Sequence, residues 1–208
     1  MRLTRPLDKI LNTEIKVRVL RIFCRSRSEL SGRQAAKLVG ATPKTAHEVL
    51  QSLMKEGLLL MKVVGKTHLF RLNEARMMSG LLKGLFADEE RLRDRLLKVI
   101  VASVKRSSLK DAILSIALFG SVYEKKEGPS SDVDLLVVVK TAQDRKKAED
   151  LFFRIDEQIS PRWGNPIAPY VNSLSEFRSK AKNKKGIIAG ILGSYQLIYG
   201  GRLEKLLR

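Results

Sequence analysis

The chain has 208 residues, enough for one large domain or two small ones, each burying a core of its own. Its 40 basic and 22 acidic residues give a formal charge of +18, so a polyanion is the first partner to expect. No apolar run is long enough to span a bilayer, no apolar block follows the charged start MRLTRPLDKILN, and the lone Cys24 cannot form an internal disulfide. These features predict a soluble, cytoplasmic protein without a membrane partner.

The positive charge is uneven. Residues 1–72 hold 15 Lys and Arg against 5 Asp and Glu, a net +10, while the remainder holds 25 against 17, a net +8 over nearly twice the length. From Thr13, the positions Ile15, Val17, Val19, Leu20 and Phe23 fit a helix that ends in the Arg/Ser-rich stretch at 25–28. Ser31 heads a second helix with Gln34 at capping-box spacing, and Gly40 closes it. A third begins with Thr42 as N-cap and Pro43 in its first position, buries Ala46, Val49, Leu50, Leu53 and Met54, and stops at Gly57. The runs LLLMKVV and THLFRLN, separated by Gly65 and Lys66, read as a hairpin.

This order resembles the winged helix-turn-helix domain over residues 8–72. The resemblance implies a third helix in the DNA major groove and the hairpin as wing. Thr42, Lys44, Thr45 and His47 then lie at the helix end facing the groove, with Lys62 and Lys66 on the wing. The partner implied is DNA or another nucleic acid. The alternative is a solvated basic face that binds a protein or nothing.

Residues 73–107 read as a helical connector of two helices. Met77, Met78, Leu81, Leu82 and Leu85 form the stripe of the first, which is either core or a homodimer surface. Asp88 can cap the second, in which Leu92, Leu96, Leu97, Ile100 and Val104 recur.

Residues 108–208 alternate strands and helices: AILSIALF and DLLVVV as buried strands, AQDRKKAEDLFFRIDEQI as a helix, IAPYV as a strand, LSEFRSKAK as a helix and YQLIYG as a last strand. Asp132 and Asp134 open the second strand. At i and i+2 they project to one side, with carboxylates about 6–7 Å apart. At an effective dielectric of 20 that repulsion is roughly 2.5 kcal/mol, and a bound dication would reverse it. Paired aspartates are the hard oxygen ligands Mg²⁺ takes when phosphates complete its shell. The competing reading is an ordinary loop-to-strand junction. Eleven residues before Asp132, Gly120 and Ser121 follow the strand ALF where a helix can begin, giving close backbone approach, a hydroxyl and amides to a phosphate.

The stretch GSVYEKKEGPSSDVDLLVV resembles the signature of the DNA polymerase beta-like nucleotidyltransferases, particularly their minimal prokaryotic members. The similarity extends less sharply over residues 108–200. It implies transfer of a nucleoside monophosphate from an NTP with two Mg²⁺ ions: Gly120 and Ser121 hold the triphosphate, and the catalytic Asp132 and Asp134 hold the metals. The fold class expected for the chain is α+β: a winged helix domain, a helical connector and a mixed-sheet nucleotidyltransferase domain. Active members of that family supply a third carboxylate from a later strand. Here that strand, IAPYVNS, has none; Asn172 is its nearest polar candidate, and Glu176 reads as the early-turn acid of the next helix. Two functions follow: a nucleotidyltransferase fused to a DNA-binding domain, or a DNA-binding regulator whose second domain keeps the fold with weak or absent catalysis.

Overall fold

The computed structural model describes residues 4–129, 131–183 and 186–208. The chain divides into two compact units, Met1–Leu92 and Arg93–Arg208.

In the first unit a short helix α1 (Leu7–Ile10) precedes α2 (Glu14–Arg25), whose N-cap Thr13 accepts from the Lys16 N–H. A two-residue strand β1 (Leu30–Ser31) leads into α3 (Gly32–Val39), with the capping box of Ser31 and Gln34 formed and Gly40 left-handed at its end. Helix α4 (Pro43–Lys55) has Thr42 as N-cap and Pro43 in its first turn. Strands β2 (Leu59–Val64) and β3 (Thr67–Leu72) pair antiparallel from Val64 and Thr67 outward, across the two-residue turn Gly65 and Lys66. β1 adds to the free side of β3, giving the sheet order β1-β3-β2. Leu20, Phe23, Leu50, Leu53 and Phe70 close the core beneath it. Helices α2, α3 and α4 on a three-stranded sheet whose last two strands form a hairpin are the winged helix-turn-helix topology.

The connector differs from expectation. It is one helix, α5 (Met77–Arg106), not two. Asp88 lies exposed inside it. Its surroundings, Phe86 to Glu90, contain neither Gly nor Pro, so a residue able to cap has no break to cap. Leu82 and Phe86 of α5 pack into the first unit's core, and Leu96, Leu97, Ile100 and Val104 into the second's.

The second unit is built on β4 (Ile113–Leu118), α6 (Gly120–Glu124), β5 (Val133–Val139), α7 (Ala142–Trp163), β6 (Ile167–Ser173), α8 (Leu174–Ala181), α9 (Ile187–Gly193) and β7 (Gln196–Gly200), followed by a 3-10 turn at Leu203–Leu207. The sheet order is β6-β5-β4-β7. β5 and β6 are parallel, as their crossover through α7 requires, and the other pairs are antiparallel. α5 and α7 cover one face; α8, α9 and the 3-10 turn cover the other. β5 is therefore buried on both sides, which is why its sequence after Asp134 is uninterruptedly apolar. The chain is α+β throughout.

Candidate functional site

β4 delivers the chain to the two aspartates. The Phe119 N–H donates to the Asp134 carbonyl at 3.1 Å, and the backbone then turns at Gly120 with φ +71°. A Cβ on Gly120 would stand 2.1 Å from Asp134 Oδ2. Two constraints thus coincide: the left-handed conformation disfavours a side chain, and the carboxylate occupies the space one would need. Ser121, partly buried, follows in α6, whose five residues end at the left-handed Lys125. A helix so short has a small macrodipole, so an anion held here would depend on local N–H groups and the Ser121 hydroxyl.

β5 begins at Val133. Asp132 is the exposed last residue of the preceding loop, and Asp134 is a half-buried strand residue. The loop end is pinned by hydrogen bonds that include Gly128 N–H to Ser131 Oγ at 2.9 Å, Ser131 N–H to the Gly128 carbonyl at 3.1 Å, Asn165 Nδ2 to the Ser131 carbonyl at 2.8 Å, and Val133 N–H to the Pro166 carbonyl at 2.8 Å. The sequence reading had not singled out Asn165 or Pro166; an Asn-Pro pair just after a helix marks a turn. Burial, and next the charge of Asp132, push the Asp134 carboxyl above its ordinary value. The pair is strained by like charge, the condition a bound cation relieves.

Among the described residues no third acid joins them. In the parallel register Asp134 lies beside Ala168, whereas Asn172 lies beside Val138, four residues along β6. That is about 13 Å away at strand spacing. Asn172 is fully buried; its Oδ1 accepts from Lys180 Nζ at 2.6 Å, and its Nδ2 donates to the Tyr170 carbonyl at 3.3 Å. It is a structural residue remote from the aspartates, contrary to its candidacy as the third ligand. Glu176 caps α8 with Ser173 and pairs with Arg145, as an early-turn acid does. Among the described residues no group of three or more His, Cys, Asp and Glu could hold a metal ion. The two carboxylates would fit one dication only if other ligands completed its shell. Among the described residues no further carboxylate stands with the pair to hold a second metal.

In the first unit, Lys44 and His47 are exposed on α4. The Thr42 hydroxyl accepts from the Thr45 N–H and stands 2.9 Å from the Thr45 hydroxyl, so both are engaged in the cap. Lys62 pairs with Glu29, while Lys66 is exposed in the wing turn. His68, on β3, and Arg33, on α3, share a cleft with His47 and Lys66 and were not among the sequence candidates. Met77, Leu81 and Leu85 of α5 are 84%, 62% and 54% exposed, while Leu82 is core.

Residues 104–200 match the family model described as Polymerase beta, Nucleotidyltransferase, and the C-terminal part of the chain is a nucleotidyltransferase domain of that family. No curated protein matches the chain. Among solved structures, similarity extends to the homodimeric winged helix-turn-helix DNA-binding domain of a possible ArsR-family transcriptional regulator from Mycobacterium bovis. The identity is 21%, over 43% of this chain and 76% of that one, with a TM-score of 0.33. NadR in complex with 4-hydroxyphenylacetate is 17% identical over 51% of this chain and 74% of its own, with a TM-score of 0.37. The archaeal chromatin protein TrmBL2 is 13% identical over 86% and 70%, with a TM-score of 0.29. The winged helix assignment rests on the chain's own topology. Among the described residues no helix is long and apolar enough to cross a membrane.

Proposed function

We propose that the second unit binds a nucleoside triphosphate with Mg²⁺ and transfers its nucleoside monophosphate, in a chain whose first unit binds DNA. The observation that supports the reading is the packing of Gly120 onto the Asp134 carboxylate, which brings the backbone of the Gly-Ser turn against the aspartate pair. Ser121 and the backbone after Phe119 donate to phosphate oxygens, and the hydrogen bonds through Ser131, Asn165 and Pro166 hold the aspartates in place. Asp132 and Asp134 hold Mg²⁺, which when bound supplies positive charge against the triphosphate. In the transfer, an acceptor hydroxyl or phosphate oxygen attacks the α-phosphorus, the bond to the bridging oxygen of the β-phosphate breaks, pyrophosphate leaves, and the proton of a hydroxyl acceptor passes to solvent water.

A second reading has its own support. Position 168, level with Asp134, is an alanine, so β6 offers no carboxylate beside the pair to accept the acceptor's proton or to complete a second metal site. A DNA-binding regulator that binds nucleotide with slow or absent turnover fits that feature. Titration calorimetry with NTP and Mg²⁺, beside turnover of α-labelled NTP, separates the readings. Mg²⁺-dependent binding is expected, weakened in Asp132→Asn and Asp134→Asn. Turnover is expected to be slow, and to rise in Ala168→Asp but not in Asn172→Asp. Absence of binding at every Mg²⁺ concentration overturns both; rapid wild-type turnover removes the second.

A further inference from the structure

β7 is an edge strand: in the order β6-β5-β4-β7 it pairs with β4 alone, and among the described residues no strand meets its other side. Its sequence, QLIYG, holds neither a charge nor a proline, two of the devices that keep an edge from recruiting another chain. A register shift opposite Ile116 and Ala117 also leaves Ile198 without a partner on β4. Between this edge and α5 runs a groove of about 460 Å³, and every residue lining it belongs to the second unit. Its floor is apolar, with Leu97 and Val101 from the helix and Leu197 and Ile198 from the strand. Its rim is basic. Lys98 and Lys105 are exposed, without a hydrogen-bond or ion-pair partner among the described residues, and stand two helical turns apart, about 10 Å. Asp94, the acid of the lining, has Arg93 at 3.8 Å.

We propose that this groove takes an extended acidic segment of a partner protein, which adds to the sheet as a strand beside β7. The free edge offers N–H and C=O groups at strand spacing, and only another polypeptide returns them in register. Side chains of the added strand alternate between faces, so every second one enters the groove. An apolar residue there meets Val101 and Ile198, and acids two positions to either side of it, about 13 Å apart, come within reach of the flexible stems of Lys98 and Lys105. A nucleic acid would satisfy the lysines but leave the apolar floor and the strand edge unmatched. The groove is separate from the proposed nucleotide site: Asp134 is in step with Leu136 and Val138, on the face that α8 and α9 cover, whereas the groove lies on the α5 face.

The test uses the full chain and a fluorescent synthetic peptide carrying Glu-Thr-Val-Thr-Glu, read by anisotropy at low salt. It should bind, and the isomer Thr-Glu-Val-Glu-Thr, whose acids and valine point to opposite faces, should bind about tenfold more weakly. Lys98→Glu and Lys105→Glu should each lower affinity about tenfold, from a lost exposed ion pair and the repulsion that replaces it. Val101→Lys adds positive charge but spoils the apolar floor, so it should weaken binding where plain charge attraction would strengthen it. A further measurement needs no variant. The amides of alternate residues in a strand point to opposite edges, so N-methylation of one alternate set in the peptide should abolish binding and methylation of the other should leave it. Equal binding of the two isomers, equal binding of the two methylated peptides, or no binding of the first peptide overturns the proposal. A single-stranded oligonucleotide that displaces the peptide and is itself weakened by Val101→Lys would give the groove to nucleic acid, and a dimer of the chain that Val101→Lys dissociates would give it to a second copy; either result overturns the proposal as well.

Discussion

Asp134→Asn should stabilise the free protein and remove its response to nucleotide. The substitution keeps the shape of the side chain against Gly120 and deletes one of two like charges. Burial and Asp132 raise the folded-state proton affinity of this carboxyl, so its ionised form is disfavoured by folding. The sign follows from linkage: the group favours the folded state most at acid pH, and that advantage is lost as pH rises from the unfolded carboxyl value through the raised folded one. At neutral pH the wild type therefore carries a penalty that the amide escapes. The repulsion of roughly 2.5 kcal/mol at an effective dielectric of 20 is an upper bound. Asp132 is exposed, so solvent and salt reduce it, and about 1 kcal/mol is the expected gain, or about 2–4 °C in Tm. Mg²⁺ with NTP at a hundred times Kd should add about 2.7 kcal/mol to the wild type and little to the variant, reversing their order. Trp163, the sole tryptophan, packs on the second unit's core, so its fluorescence follows unfolding of the unit that holds the site. A variant less stable than the wild type without ligand, or equal ligand shifts in both, would refute the reasoning.

Gly120→Ala should lower Tm and abolish NTP binding, since left-handed backbone costs an alanine about 1–2 kcal/mol before the collision with Asp134 Oδ2 is counted; unchanged calorimetry would show that the carboxylate moves freely. Lys44→Ala and Lys66→Ala should each weaken duplex binding and reduce the salt slope by about 1, whereas Lys62→Ala, already paired with Glu29, should do less; equal effects of all three would mean the ion pair opens on binding. The exposed stripe of Met77, Leu81 and Leu85 should pair with its copy, so sedimentation at micromolar concentration should show a dimer that Leu81→Glu dissociates, and monomer alone refutes it.

What could be read from the sequence was what neighbours in the chain decide. Ser31 with Gln34 and Thr42 with Thr45 fix helix starts through bonds three residues long, and the Gly65 and Lys66 turn fixes the hairpin. β1 stayed hidden because two residues carry no period, and its strand character comes from Phe70 and Leu69 opposite. α9, with the sequence IIAGILG, has two glycines and no polar face to mark a helix, and takes its shape from packing Ile188 and Ile191 under the sheet. Gly120 and Asp134 were legible as a pattern, but the reason for the glycine was not: it is a contact between residues 14 positions apart. Asn172 misled because a strand's polar residue gives no clue to its register. Pairing with β5 sends it to the far end of the strand from the aspartates.

The same register gives Ala168 an energetic meaning. Side chains directly opposite on neighbouring strands stand about 5 Å apart, so a third carboxylate there would add a repulsion of up to roughly 3 kcal/mol at an effective dielectric of 20 to a site where Asp134 already resists ionising. Only bound cations would offset it, so a three-carboxylate site depends on metal for its stability as well as for its chemistry. With alanine at 168, the free protein avoids that repulsion, and on the function proposed above it would keep ligands for one cation and hold a nucleotide better than turn it over. Ala168→Asp should consequently melt below the wild type in chelator and recover in excess Mg²⁺, in step with any turnover it gains. A variant that melts with the wild type in chelator would mean that position 168 does not face the pair, and the absence of a third acid would then have to be sought on another element.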